Sequence, residues 1–259
     1  MALKTGLIGA GVFGGYHAGK IAESEIAEFT GVFDPDPARA KELASKYGVE
    51  AFGTQASLLA EADAVIIACP ATYHAETVRE AIAAGCHVLV EKPLALTGDE
   101  ASSLARAADA AKRVLQVGHQ ERLVLKAMGL FDLPETPVKI EAWRESPPAP
   151  TGRAGDVSVI FDLMIHDLDM VACLMGKAAT VDGEGAIVHS GHIDEAKALL
   201  GFPDGARATV SASRAADERR RSMRLVFENG EIDIDFLTRH VKNSTPFEVR
   251  ADVSQALPD

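Results

Sequence analysis

Thr5-Gly6-Leu7-Ile8-Gly9-Ala10-Gly11-Val12-Phe13-Gly14 is the stretch on which the fold of this chain turns. The run Thr5–Ile8 has the length and apolarity of a buried strand, and it leads directly into G-x-G-x-x-G and an amphipathic helical pattern. The glycine motif alone is weak in a chain with 22 glycines, but strand before and helix after make it specific. Gly9 permits the tight turn, Gly11 lets backbone N–H groups approach a pyrophosphate, and Gly14 lets helix and strand pack closely. Val12 and Phe13 lie inside the glycine motif, just before the helix whose positive dipole end suits phosphate. Asp34 follows 20 residues after Gly14, at the end of the next apolar run. Its carboxylate would accept both hydroxyls of an adenosine ribose and repel a 2′-phosphate, which favours NAD over NADP. Arg39 is the nearby cation that works against this preference.

Outward from this stretch, short apolar runs alternate with longer amphipathic ones as far as residue 118, the pattern of parallel strands joined by crossover helices. Strands are predicted at Thr5–Ile8, Glu28–Phe33, Ala64–Ala68, His87–Val90 and Leu115–Gly118. Helices are predicted around Gly14–Ala27, Pro37–Tyr47, Ala75–Ala84 and Asp99–Lys112. The fold class is α/β: a doubly wound Rossmann domain over residues 1–118, then an α/β domain over 119–259 with a largely antiparallel open sheet. In that second domain a strand at Val138–Arg144 and a single apolar helix at Val157–Met175 precede alternating segments. These are Thr180–His189, Ala196–Phe202, Ala206–Ser213, Met223–Glu228 and Glu231–Phe236, with hairpin chemistry at Pro203-Asp204-Gly205 and Asn229-Gly230. The charge run Asp217-Glu218-Arg219-Arg220-Arg221 reads as a solvated loop.

A formal net charge of −12 repels phosphate backbones and anionic lipid, so neither nucleic acid nor a membrane is expected as partner. Anionic small ligands stay open, because helix N-termini and single arginines act locally. Three separated cysteines suit neither a disulfide framework nor a cysteine zinc site, and a reducing cytoplasm is expected. The apolar N-terminus, Met1 to Gly15, is interrupted by five glycines and is not expected to be a secretory signal.

Glu91-Lys92-Pro93 follows the strand His87–Val90, so Lys92 is expected at the carboxyl end of a parallel strand, where open α/β sheets bind ligands. Asp162, His166 and Asp169 are spaced i, i+4 and i+7, one stripe of a helix that is otherwise apolar nearly all round. Buried charges need partners or a wet cavity. Three readings of the stripe stand: a structural ion network, a metal site, and an acid/base pair in which His166 carries the proton and Asp162 orients it. The acid/base reading is preferred and no metal is expected, since one His among carboxylates is poor zinc chemistry. His189-Ser190-Gly191-His192 reads as exposed loop histidines rather than ligands.

Taken together, Gly9 to Gly14, Asp34-Pro35-Asp36-Pro37, Cys69-Pro70 with His74, Glu91-Lys92-Pro93, Gly118-His119-Gln120-Glu121-Arg122 and Asp162 to Asp169 resemble the glucose-fructose oxidoreductase/inositol dehydrogenase/rhizopine catabolism (Gfo/Idh/MocA) family. The resemblance implies an NAD-dependent oxidoreductase acting on a secondary alcohol of a sugar, with Lys92 and His166 as the catalytic pair and Asp162 beside them. It implies that Cys69, Pro70, His74, Glu91 and Lys92 border the cofactor, that the Lys92–Pro93 peptide is cis, and that the open sheet pairs copies into a homodimer or homotetramer. Within the family, the stretches around His119 and Asp162 look most like nucleotide-sugar 3-dehydrogenases that act on UDP-N-acetylglucosamine or its uronate. Arg122, Arg144 and Arg153 are then candidates for the diphosphate or carboxylate, because arginine offers paired donors. Ala71 and Leu123 depart from the family's usual Asn and Phe. The end at Leu257-Pro258-Asp259 omits a usual C-terminal helix, so the chain is expected to be a short or truncated variant. The rival readings are a non-catalytic NAD-binding redox sensor, a related inositol or sugar dehydrogenase, and a metal-dependent hydrolase on Asp162, His166 and Asp169.

Overall fold

A computed structural model describes residues 2–148 and 157–253. The chain divides into two compact units, Met1–Gly118 and His119–Asp259. In the first, β1 (Leu3–Ile8), β2 (Ala27–Phe33), β3 (Glu50–Ala51), β4 (Ala64–Ile67), β5 (His87–Val90) and β6 (Leu115–Val117) form an all-parallel sheet in the order β3-β2-β1-β4-β5-β6. Five helices connect them: α1 (Val12–Glu23), α2 (Pro37–Tyr47), α3 (Gln55–Glu61), α4 (Ala71–Ala83) and α5 (Gly98–Ala111). The strands are apolar on both sides because both faces are covered. Leu7 and Val32 pack with Ala18 and Ile21 of α1 and Ala44 of α2, while Ile8, Ile67 and Val88 pack with Leu58, Val78 and Leu104. The strand order reverses between β1 and β4, the switch point at whose carboxyl ends open α/β sheets bind ligands.

The sequence pattern does not predict β3 or α3, which are two and seven residues long. α4 begins at Ala71 rather than Ala75 because Pro70, with φ −60°, serves as its N-cap. α1 ends at Glu23 rather than Ala27, and Ala27 instead opens β2.

The second unit holds β7 (Lys139–Glu145), β8 (Thr180–Ala186), β9 (Glu195–Gly201), β10 (Arg207–Ser213), β11 (Arg220–Phe227), β12 (Gly230–Asp235) and β13 (His240–Asn243), in the order β13-β12-β11-β7-β10-β9-β8. Every pairing is antiparallel except β7 with β10, which run parallel with Ile140 beside Ala208. Alternate residues face one core: Ile140 and Ala142, Ala208 and Val210, Met223 and Leu225, Ile232 and Ile234. Two helical pieces cover that face, not the single one expected: α6 (Glu121–Met128), and a π-helical turn (Ile160–Met164) that runs into α7 (Ile165–Met175). The charge run is also corrected. Arg220 and Arg221 lie inside β11, opposite Glu145 and Arg144, and only the residues before them are outside the strand. Arg153 lies outside the described residues.

Asp194 fastens the connection between β8 and β9. Its Oδ2 accepts the backbone N–H groups of Val188, His189 and Ser190 at 2.8, 2.7 and 2.9 Å, and its Oδ1 accepts Arg214 Nε at 2.7 Å. His189 and His192, in the same turn, expose their side chains. Burial opposes the Asp194 charge, but the N–H groups of Ser190, His189 and Val188 together with Arg214 outweigh it and hold the carboxyl well below its ordinary range. A carboxyl lowered in the folded state stabilises the fold above its unfolded pKa, and that contribution disappears as pH falls. At neutral pH Asp194→Asn should melt roughly 5 °C below the parent. As pH falls below about 4 the gap between the two midpoints should narrow progressively, because only the parent loses this contribution on acidification. A gap between the midpoints that stays constant with pH would contradict this.

Candidate active site

In the first unit, the ends of β1, β2, β4 and β5 bring the expected residues to one edge of the sheet. Gly9 has φ +101°, and a Cβ there would lie 2.7 Å from the backbone of Ala68 and Cys69, so the turn after β1 fits against the end of β4 only with glycine. A Cβ on Gly14 would lie 2.0 Å from the Gly9 carbonyl oxygen, so the third glycine makes room chiefly for the loop rather than for the strand. Gly11, the N-cap of α1, would place a Cβ with nothing within 4 Å. Open space over a helix N-terminus is what a pyrophosphate requires. Val12 and Phe13 stand exposed on the first turn of α1.

Asp34 follows β2 and is tied to the glycine loop. Its Oδ2 accepts the Ala10 N–H at 2.7 Å and its Oδ1 accepts the Asp36 N–H at 2.8 Å. Each carboxylate oxygen can accept a second hydrogen bond, so both keep capacity for a ribose hydroxyl. Arg39 sits 3.4 Å from Asp36, its ion-pair partner. These residues fit an NAD adenosine and its diphosphate, and the Asp34 charge disfavours a 2′-phosphate.

Lys92 is half-buried directly after β5, and the Lys92–Pro93 peptide is cis. Its neighbours are held from two sides. The Glu91 carboxylate lies 2.7 Å from His17 Nε2 on α1, and a Cβ on Gly118 would come within 3.3 Å of that carboxylate. His74, on α4, is only 1% exposed, with Nδ1 2.6 Å from the Pro93 carbonyl oxygen and Nε2 2.8 Å from that of Cys69. His74 and Glu91, expected to border the cofactor, direct their side-chain polar atoms at protein partners. Cys69 is half-buried after β4, and burial, partly offset by Thr77, raises its thiol pKa. His17 was not a sequence candidate. Its signal is its place beside Gly14, Ala18 and Ile21, the buried side of α1.

In the second unit, Asp162 lies on the π turn, and His166 and Asp169 on α7, all half-buried. The three do not share a regular α-helical stripe, because the π turn is wound with i→i+5 bonds; such turns recur at functional sites. The fully buried carboxylate of α7 is Asp167, which sequence reasoning did not single out. Arg144 on β7 donates Nε to Asp167 Oδ2 at 2.8 Å, Nη2 to Asp167 Oδ1 at 3.1 Å and Nη1 to Glu121 Oε1 at 2.9 Å. Arg144 is 2% exposed, so its assignment to a substrate anion is corrected: it pins α7 and α6 to the sheet. Burial opposes its charge, and Asp167 and Glu121 outweigh that and raise its pKa. Arg221, opposite it, is lowered by burial and by the Arg144 charge. Arg122 donates Nε and Nη2 to Asp169 at 2.8 and 2.5 Å, and His119 Nδ1 lies 3.6 Å from the same carboxylate. About half of the Arg122 side chain remains exposed (51%). Asp169 is thus a partner of Arg122 and His119, while Asp162 and His166 are the acid/base candidates the sequence named.

Residues 3–119 match the family model described as "Oxidoreductase family, NAD-binding Rossmann fold", and residues 126–233 match the GFO/IDH/MocA C-terminal domain. The chain is 36% identical over 247 residues to the UDP-N-acetylglucosamine 3-dehydrogenase of Acidithiobacillus ferrooxidans, covering 92% of this chain and 76% of that protein. A solved structure of that enzyme superposes with a TM-score of 0.87 at 35% identity, covering 96% of this chain and 83% of that one. The rhizopine catabolism protein MocA of Rhizobium meliloti is 31% identical over 226 residues, covering 82% of this chain and 71% of that protein. With a cofactor-binding edge of this geometry and both family models matched in order, the chain belongs to the Gfo/Idh/MocA family of NAD-binding oxidoreductases.

Proposed function

We propose that this protein oxidises, or in reverse forms, a secondary alcohol on the sugar ring of a UDP-N-acetylglucosamine-type nucleotide sugar. One observation carries the reading: a single edge of the parallel sheet presents the Gly9–Gly14 turn, an Asp34 carboxylate already oriented by the glycine loop, and Lys92 beyond the next strand but one from β1. Gly11 and the start of α1 would hold the diphosphate, and Asp34 the adenosine ribose. When bound there, the nicotinamide supplies the hydride acceptor. His166 takes the hydroxyl proton as the ring C–H departs, and Asp162 keeps the imidazole or the sugar oriented. Lys92 donates a hydrogen bond to the same oxygen and stabilises the charge that develops on it. The nucleotide-sugar assignment rests on the 36% identity to a protein of that activity, and Arg122, half exposed beside Asp169, is our candidate for a ligand anion.

We place the protein in a reducing cytoplasm, which suits its free cysteines Cys69, Cys86 and Cys173. We further propose self-association as a homodimer or homotetramer through the sheet face opposite the helices, which carries Trp143, Leu199 and Val226.

The test is NAD reduction, followed at the nicotinamide absorbance, with UDP-N-acetylglucosamine, its uronate, inositols and free aldoses, each repeated with NADP. Turnover with a UDP-sugar and NAD is expected. Turnover confined to inositols would move the substrate class, and a preference for NADP would overturn the role of Asp34. Asp34→Ser should lower kcat/KM for NAD about 10- to 100-fold, the value of charge-assisted ribose hydrogen bonds, with a smaller change for NADP.

A further inference from the structure

We infer that His17 and His74 are positioning residues that clasp the Glu91-Lys92-Pro93 segment from its two ends and so fix where Lys92 points. Lys92 leaves the end of β5 on a loop, and a long flexible side chain on a loop is a poor instrument unless its backbone is held. On one side, Glu91 is a buried carboxylate, 8% exposed, and such a group needs a partner. His17 supplies one at 2.7 Å, and Gly118 leaves the space in which the carboxylate lies. The backbone N–H of Glu91 also donates to Ile67 of β4 at 2.9 Å, so this residue is anchored through both its main chain and its side chain.

On the other side, His74 spans two carbonyls that belong to different loops. Nδ1 faces Pro93 at 2.6 Å and Nε2 faces Cys69 at 2.8 Å. The ring therefore bridges the loop after β5 to the loop after β4, the strand next to it. Neither histidine is placed to meet the reacting atoms: His74 is buried, and His17 is spent on Glu91. Both act through the residues that flank Lys92. A displacement of about 1 Å in a catalytic group costs up to about 100-fold in rate, which sets the scale of the effect.

This inference rests on the proposed catalytic role of Lys92, and the experiment separates the two. His17→Leu, His17→Gln, His74→Leu, His74→Asn and His74→Gln are compared with Lys92→Met for NADH affinity by fluorescence titration, for kcat and KM with UDP-N-acetylglucosamine, and for hydrogen–deuterium exchange of the peptide spanning residues 91–97 without ligand. The two Leu variants should lose about 10- to 100-fold in kcat with NADH affinity nearly unchanged, and should exchange faster in residues 91–97 but not in residues 9–14. Gln places a donor near the position of Nε2 and Asn near that of Nδ1. His17→Gln should therefore recover most of kcat, and His74→Asn, which keeps the Pro93 contact, should recover more than His74→Gln. If the Leu variants do not fold, the Asn and Gln variants decide through that same order. Unchanged exchange in residues 91–97, the reverse order for Asn and Gln, or parental kcat in the Leu variants beside an inactive Lys92→Met would overturn the clasp. An active Lys92→Met would instead overturn the role of Lys92 itself, while the exchange data would still report whether the segment is held.

Discussion

Lys92→Met should lower kcat by about 10²- to 10⁴-fold, the usual worth of one positioned proton-donating group, and leave NADH affinity within about twofold of the parent. Methionine keeps the length and most of the volume of lysine, so it removes the charge and the donors without opening a cavity. The glycine turn and Asp34 do not depend on Lys92: Gly9 is held by the fit against Ala68 and Cys69, and Asp34 by the N–H groups of Ala10 and Asp36. Binding and turnover should therefore separate. His166→Asn should give a loss of the same order, and if both groups act on the one hydroxyl as proposed, the double variant should lose little more than either alone. Loss of NADH binding together with turnover in Lys92→Met would show that the residue belongs to the cofactor's binding site instead.

The second large effect is on stability. Arg144→Leu leaves Asp167, which is 1% exposed, with its carboxylate buried and without either guanidinium contact, and strands Glu121 in part. Removing one partner of a buried pair costs about 3–5 kcal/mol, or roughly 10 °C in the melting midpoint of a unit of this size. The double variant Arg144→Leu with Asp167→Leu should recover most of that loss, since two apolar side chains replace a pair whose attraction was largely offset by desolvation. Measured in urea, a single-variant loss below about 1 kcal/mol would show that the network is dispensable. Because Asp167 is the neighbour of His166 on α7, Arg144→Leu should also depress kcat at temperatures where the variant is still folded.

The parallel sheet was readable because its strands are continuous apolar runs separated by helical periods, and the nucleotide edge because glycines at fixed offsets have one mechanical use each. What escaped the pattern had little pattern to show. β3 is a two-residue pairing of Glu50 and Ala51 with Gly31 and Val32, below the length at which alternation exists. α3 is announced only by Thr54, whose side chain accepts the Ser57 N–H at 3.1 Å. The π turn at Ile160–Met164 shifts the helical register with no residue type that marks it, so a stripe counted at i, i+4 and i+7 grouped Asp162 with Asp169 and passed over Asp167. Arg144 offered the same difficulty from the other side. In sequence it is a cation after a strand pattern and equally suited to a substrate anion; only the pairing of β7 with α7, residues 23 apart, places it on Asp167. His17 belongs with these, and His74, named as a cofactor neighbour, gave no sign of the carbonyls it meets. Each is a lone histidine on an amphipathic helix, and its partner is a carboxylate or a carbonyl on another strand's loop.

The central claim is that a hydride leaves a sugar carbon for the nicotinamide under the control of Lys92 and His166. The most direct measurement is a single turnover of UDP-N-acetylglucosamine carrying deuterium on ring carbon 3 with NAD, followed by mass analysis of the reduced dinucleotide. One deuterium should appear in the dinucleotide with the parent protein, and its appearance should slow by about 10²- to 10⁴-fold with Lys92→Met. Reduced dinucleotide without deuterium, or transfer at an undiminished rate in Lys92→Met, would contradict the account.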